Sequence, residues 1–238
     1  MANGTQRVLR AVEPISVTPP SGRIWTLAPS DFAFLWDECR RCFYDKVVRR
    51  RRRPAAPFPS VFSRIDLAMK AGFSGVRTDE LALGAPAGSI IEADRWVKST
   101  PLSVPGSKSR LVVRGRVDAL IALDQGGIAV VDFKTAPPSD RLIDRYGRQL
   151  HAYAAALEDP ATGRPYRVDG LGILAFIPST FKANSGTADL HGELEWTEIP
   201  LERSSFVQFL ADVSTVLDAP TAPAADPACP WCTMGSNR

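Results

Sequence analysis

Residues 127–140 read GIAVVDFKTAPPSD. Small and β-branched apolar residues lead into Asp132, Phe133 and Lys134, and two prolines then stop the run. Its length, composition and bounding turn residues predict a core strand over 128–135. Side chains two apart on a strand share a face, so Asp132 and Lys134 stand together while Phe133 turns to the opposite layer. An acid and a base at the end of a buried strand are either a plain ion pair or part of a site.

Upstream, RLVVRGRVDALIAL (110–123) reads as a second strand and DQGG (124–127) as a tight turn, making the two strands an antiparallel pair. The hairpin carries Asp118 toward Asp132, so two carboxylates and an ammonium converge at one end of a sheet. Carboxylate oxygens are the hard ligands that Mg²⁺ or Mn²⁺ take, and such an ion polarises a phosphate and lowers the pKa of a bound water. A lysine beside it orients that water or stabilises charge developing on phosphorus. The alternative for the same residues is strand termination, with Asp118 and Asp132 paired to Arg116 or Lys134.

Further out, PSDFAFLWDECRRCFYDKVV (29–48) reads as a helix opened by Ser30, with Cys39 and Cys42 on one face. Arg49–Arg53 and PAAPFPS form a loop, and VFSRIDLAMKAGF (61–73) a second helix that buries Phe62, Ile65 and Met69. Residues 74–88 look irregular, and 96–104 reads as a strand. Downstream come a helix over 139–159 capped by Ser139, strands over 171–178 and 193–201, and a helix over 203–217. A Pro/Ala-rich tail then delivers the last cysteines. The order predicts an α/β fold with a mixed central sheet flanked by helices.

With 238 residues, 45% of them hydrophobic, the chain can bury one sizeable core. The expected organisation is an N-terminal arm over 1–28 and a single domain over 29–238 that includes the cysteine segment 218–238. No run approaches the roughly 18 apolar residues of a membrane span, and no signal-peptide apolar region opens the chain, so a soluble cytoplasmic protein is expected. The net charge of +3 is concentrated: residues 40–53 alone carry +7 and the remainder −4. A basic patch on an acidic body points to a polyanion partner. Arg49, Arg50 and Arg51, with Arg141, Arg145 and Arg148 at helical steps, are the candidate phosphate contacts. His151 reads as a helix-surface residue. All four cysteines fall in two C-x-x-C pairs, Cys39/Cys42 and Cys229/Cys232, which favours a metal centre over disulfides.

Taken in order, G-x-x-D at 115–118, D-x-K at 132–134 and a helix bearing Gln149-x-x-x-Tyr153 resemble the PD-(D/E)XK nuclease superfamily. The nearest likeness is to its RecB-like branch and that branch's CRISPR-associated relatives. The resemblance implies a restriction-endonuclease-like core and a metal-dependent deoxyribonuclease acting on single-stranded DNA or free ends, exonuclease-like. Asp118, Asp132 and the Phe133 carbonyl would hold Mg²⁺ or Mn²⁺, Lys134 would be the catalytic lysine, and Gln149 and Tyr153 would close the site. The flanking cysteines resemble the branch members whose termini are stapled by a [4Fe–4S] cluster; paired C-x-x-C knuckles equally serve tetrahedral zinc. Protein partners in recombination, repair or CRISPR adaptation are also implied. That branch commonly places a metal-binding histidine on the helix before the hairpin. VFSRIDLAMK has none, and Asp66 is the side chain there able to bind a cation, with Glu92 a further acid. The absent histidine motivates the alternative function, a weak or inactive DNA-binding or assembly module.

Overall fold

The 14-residue strand β4 (Arg110–Leu123) is the spine of the sheet in this computed structural model, which describes residues 22–54, 59–137 and 139–235. On one edge β4 pairs antiparallel with β2 (Gly88–Lys98) and, further along, with the short β3 (Leu102–Ser103). On the other it pairs antiparallel with β5 (Ile128–Lys134) and parallel with β1 (Ile24–Leu27). The sheet continues from β5 to β6 (Val168–Asn184), parallel, and from β6 to β7 (Thr187–Ile199), antiparallel. The result is a mixed seven-stranded sheet.

The parallel step from β5 to β6 requires a crossover, supplied by α5 (Asp140–Glu158). Tyr146, Leu150, Tyr153, Ala154 and Leu157 of α5 bury against Val113, Val117, Val130 and Ile173, and α6 (Arg203–Asp218) joins the same core through Phe206, Leu210, Val213 and Leu217. The opposite face of the sheet packs Ile90, Ile121, Val131 and Phe133 against Met69 of α3 (Ser60–Gly72) and against α4 (Thr78–Leu81). Helices therefore flank both faces, as the strand and helix periodicities predicted.

Several boundaries differ from the sequence reading, each for a local reason. The span read as an arm ends in β1, and residues 1–21 lie outside the described residues. The helix expected over 29–48 is broken. A π-helical turn at Asp31–Leu35 runs into α1 (Trp36–Glu38), Cys39 is extended at φ −168°, and α2 (Arg40–Val47) begins anew. Ser30 has helical backbone angles and makes no side-chain cap; Cys39 caps instead, its Sγ accepting from the Cys42 N–H at 3.5 Å. The strand expected over 96–104 is divided between the end of the longer β2 and the short β3. Phe62, expected inside, is 40% exposed. Residues 179–192 form a two-stranded ribbon that extends β6 and β7 beyond the body of the sheet, with Phe181 opposite Leu190 and Ala183 opposite Ala188 on one solvent-exposed face.

Candidate active site and thiol centre

The rungs between β4 and β5 end at Ala119 opposite Val131. Beyond them β5 stays with β6 while β4 stays with β2, so the two strands part like a fork. The Phe133 N–H, no longer met by a β4 carbonyl, is taken by Asp118 Oδ2 at 3.0 Å. Asp118 is thus fixed beside the backbone that carries Asp132. The edge of β4 between its pairings with β1 and β5, residues 114–118, has no strand partner on that side among the described residues. Tyr153 fills this gap from α5, its hydroxyl donating to the Arg116 carbonyl at 2.6 Å. Gly115 is required there: a Cβ would lie 2.7 Å from Pro29 Cδ and 3.1 Å from the Tyr153 ring.

Asp132 is 3% exposed. Gln149 Nε2 donates to its Oδ1 at 2.8 Å, and Lys134 Nζ pairs with its Oδ2. Burial pushes the Asp132 carboxyl up to about 6, with Lys134 opposing and Asp118 adding to the rise. Burial works against the Lys134 ammonium, but Asp132 outweighs it and holds Lys134 above the usual lysine value. The Lys134 ammonium also lies 4.6 Å over the Tyr146 ring. Asp118, Asp132, Lys134 and Gln149 therefore meet at the fork, with Tyr153 buttressing its rim.

Lys70, in the last turn of α3, is the residue sequence reasoning missed. Its ammonium lies 2.8 Å from Asp118 Oδ1, 2.8 Å from Asp66 Oδ2 and 3.4 Å from Asp94 Oδ1, and Asp94 also pairs with Arg116. The signal available was the Asp66–Lys70 spacing of four on a helix whose Met69 is buried. Asp66 does adjoin the site, bound to Lys70. Glu92 instead pairs with Arg95 at 2.6 Å, and Arg95 bonds the Tyr166 hydroxyl.

Four carboxylates, Asp66, Asp94, Asp118 and Asp132, face three cations, Lys70, Lys134 and Arg116. The buried Gln149 Oε1 has no hydrogen-bond partner. A surplus of negative charge and an unused acceptor are what a bound cation with its water would complete, so the donor set fits a divalent ion.

The cysteine pairs meet although Cys39 and Cys232 are 193 positions apart. Sγ–Sγ separations are 3.6 Å (Cys39–Cys232), 3.7 Å (Cys42–Cys229) and 3.8 Å (Cys42–Cys232), and all four sulfurs lie within 4.8 Å of one another. Cys229 opens α7 (Pro230–Gly235); against burial, the backbone N–H groups of Cys232 and Trp231 draw its thiol down to about 7. Burial instead pushes Cys42 up to about 12. Arg53, last of the arginine run, donates to Cys229 Sγ at 3.6 Å and to Glu38 at 2.5 Å. Four close thiols with a cationic neighbour can hold a metal.

The expected phosphate-binding arginines divide. Arg145 and Arg148 are ion-paired. α5 packs against the Asp31–Glu38 segment, which places Asp37 between the two guanidinium groups, 3.2 Å from Arg145 and 2.8 Å from Arg148, so both serve as interhelical ties. Arg49 pairs with Asp45 at 3.0 Å. Arg50 and Arg51 are exposed with no acidic partner among the described residues. The side chain of Arg141 lies outside the described residues. His151 is corrected: it is 8% exposed, with Nδ1–H donating to the Gly147 carbonyl and Nε2 accepting the Glu202 N–H.

This constellation coincides with a family match. The model of the PD-(D/E)XK nuclease superfamily matches residues 32–236, and the chain belongs to that superfamily. No curated protein matches it. A solved structure titled "Crystal structure of SSO0001" is similar at 16% identity and a TM-score of 0.44, over 89% of this chain and 84% of that one. No helix among the described residues is long and apolar enough to cross a membrane.

Proposed function

We propose that the chain is a divalent-metal-dependent deoxyribonuclease that hydrolyses phosphodiesters in single-stranded DNA or at free ends. The observation that carries this reading is the fork between β4 and β5, where Asp118, Asp132 and Lys134 converge and Gln149 orients Asp132. Asp118 and Asp132, with the Phe133 carbonyl, would hold Mg²⁺ or Mn²⁺, which supplies polarisation of the phosphate and a water of lowered pKa. Lys134, kept protonated by Asp132, stabilises negative charge developing on phosphorus and does not act as the base. Gln149 and Tyr153 hold Asp132 and the Arg116 carbonyl in place.

Cleavage of labelled single- and double-stranded DNA with Mn²⁺ or Mg²⁺ tests this. Asp132→Ala and Lys134→Ala are each expected to lose at least about a hundredfold in rate with the fold retained. An Asp132→Ala chain that cuts as fast as the parent sinks the assignment.

For the thiol centre, the spacing supports one shared ion. Four sulfurs about 2.3 Å from a tetrahedral ion stand about 3.8 Å apart, close to the separations found here. A four-iron cubane, with a separate iron for each thiolate, spreads them further. Zinc is therefore the favoured occupant over the iron–sulfur cluster that the family likeness suggested. A colourless protein carrying about one zinc agrees with this; a brown one containing iron refutes it.

A second reading, a DNA-binding or assembly module with little chemistry, is favoured by one observation: Lys70 already occupies Asp118. It predicts salt-sensitive DNA binding with no cleavage in Mn²⁺. Partners in recombination, repair or CRISPR adaptation fit either reading.

A further inference from the structure

A cavity of about 690 Å³ opens beside the fork, lined by β1, the end of α2, the arginine run and the outer face of β4. Its charged lining is Asp31, Lys46, Arg50, Arg52 and Arg114; Asp31 and Lys46 neutralise each other. Arg50, Arg52 and Arg114 have no acidic partner among the described residues. Trp96, 62% exposed, forms part of the wall, and the Arg114 guanidinium lies 5.4 Å from its ring centroid. A large aromatic left in solvent beside three unneutralised arginines is not explained by packing.

Strand register ties this wall to the site. Trp96 pairs with Arg116 across β2 and β4, two residues along from Asp118 and so roughly 7 Å away. Arg114, Arg116 and Asp118 alternate with the buried Gly115 and Val117, so the three share the outer face. The backbone gives a second indication. Arg50 sits at φ +59°, the left-handed conformation for which glycine is the cheap residue, in the turn that ends α2. An arginine is held there at a conformational cost, and the turn delivers its side chain to the cavity.

We propose that this groove is the seat of a single DNA strand, with Trp96 stacking on an unpaired base next to the phosphate held at the fork and with Arg50, Arg52 and Arg114 tracking the backbone. It rests on the nuclease reading for the position of that phosphate. Arginine forks recognise phosphate in any sequence, and a tryptophan face accepts any base, so binding is strand-selective and sequence-tolerant. A paired base, stacked on both sides in a duplex, cannot take the Trp96 face.

The test is binding of a labelled single-stranded oligodeoxynucleotide, its duplex and the RNA of the same sequence, in an Asp132→Ala background that keeps substrate intact. Trp96→Ala is expected to weaken single-strand binding roughly tenfold or more, Trp96→Phe to restore most of it, and duplex binding to change little. Replacing Arg50, Arg52 and Arg114 by Ser is expected to lower the salt dependence of binding by about 0.7 in log–log slope for each. Trp96→Ala binding as tightly as its parent, or losing as much on duplex as on single strand, overturns the groove. Tighter binding of RNA overturns the DNA assignment. If the unsubstituted chain fails to cut in Mn²⁺ while Trp96 still governs single-strand binding, the catalytic reading falls and the groove stands. If it cuts and Trp96 is neutral, the groove alone falls.

Discussion

Replacing Lys70 with Met separates the two readings of the fork. The substitution keeps the length and apolar stem of a side chain that is 13% exposed and removes an ammonium shared by Asp66, Asp94 and Asp118. Removing one partner of a buried ion pair costs about 3–5 kcal/mol because the other is left uncompensated. The three acids here are 19–37% exposed, so water recovers part of this, and about 2–3 kcal/mol is a fair scale. For a chain of this size that corresponds to a fall in Tm of roughly 4–12 °C in metal-free buffer. A divalent cation bound by the vacated carboxylates restores stability as its concentration rises, by about 2.7 kcal/mol at a hundred times its Kd. Thermal melts of parent and Lys70→Met across a Mn²⁺ titration are the assay, with the thiol centre loaded in both. The variant is expected to start lower, gain more from Mn²⁺ and reach half its gain at a lower concentration. A variant that starts lower and gains no more than the parent would show that the ion does not compete with Lys70, and the metal assignment of Asp118 would fail.

Three further outcomes follow from the same geometry. Because Asp132 takes up a proton near pH 6 without metal, apparent Mn²⁺ affinity should drop about tenfold per pH unit below that value; titrations at pH 5 and 7 check this. Burial lowers the pKa of His151, which is neutral in the fold, so the unfolded chain binds the extra proton and stability falls as pH drops below about 6.5. A His151→Gln chain should lose that component of acid destabilisation, read as a smaller change in Tm between pH 7 and 5 than the parent shows. A chelator that strips the thiol centre, or Cys39→Ser, should lower Tm substantially, since a crosslink spanning 193 positions restricts the unfolded chain by on the order of 5 kcal/mol.

The hairpin of β4 and β5 was readable because its apolar runs and DQGG turn agree with what the sheet buries. The strand period then set Asp132 and Lys134 on one face and the hairpin brought Asp118 toward them, whereas Gln149 and Tyr153 came only from the family resemblance. Lys70 did not follow: a lysine on a surface helix is ordinary, and only the docking of α3 brings it to Asp118. The ion pairs of Arg145 and Arg148 were hidden for the same reason, because nothing local announces that Asp37 will come between them. The break at Cys39 was hidden by apolar spacing that continues at helical steps across it. The ribbon of β6 and β7 was missed although Phe181 and Ala183 alternate with Thr180, Lys182 and Asn184, because this short alternation lies beyond the apolar runs by which the two strands were recognised.

The thiol centre also sets a timetable for the chain's manufacture. Cys39 and Cys42 leave the ribosome early and wait through nearly two hundred residues before Cys229 and Cys232 exist. During that interval α1 and α2 lack their anchor, and Arg53 has no second pair of sulfurs to face. A product interrupted before residue 229 can bury much of the sheet yet never bring the four thiols together, so only chains that reach residue 232 complete a site able to hold a metal.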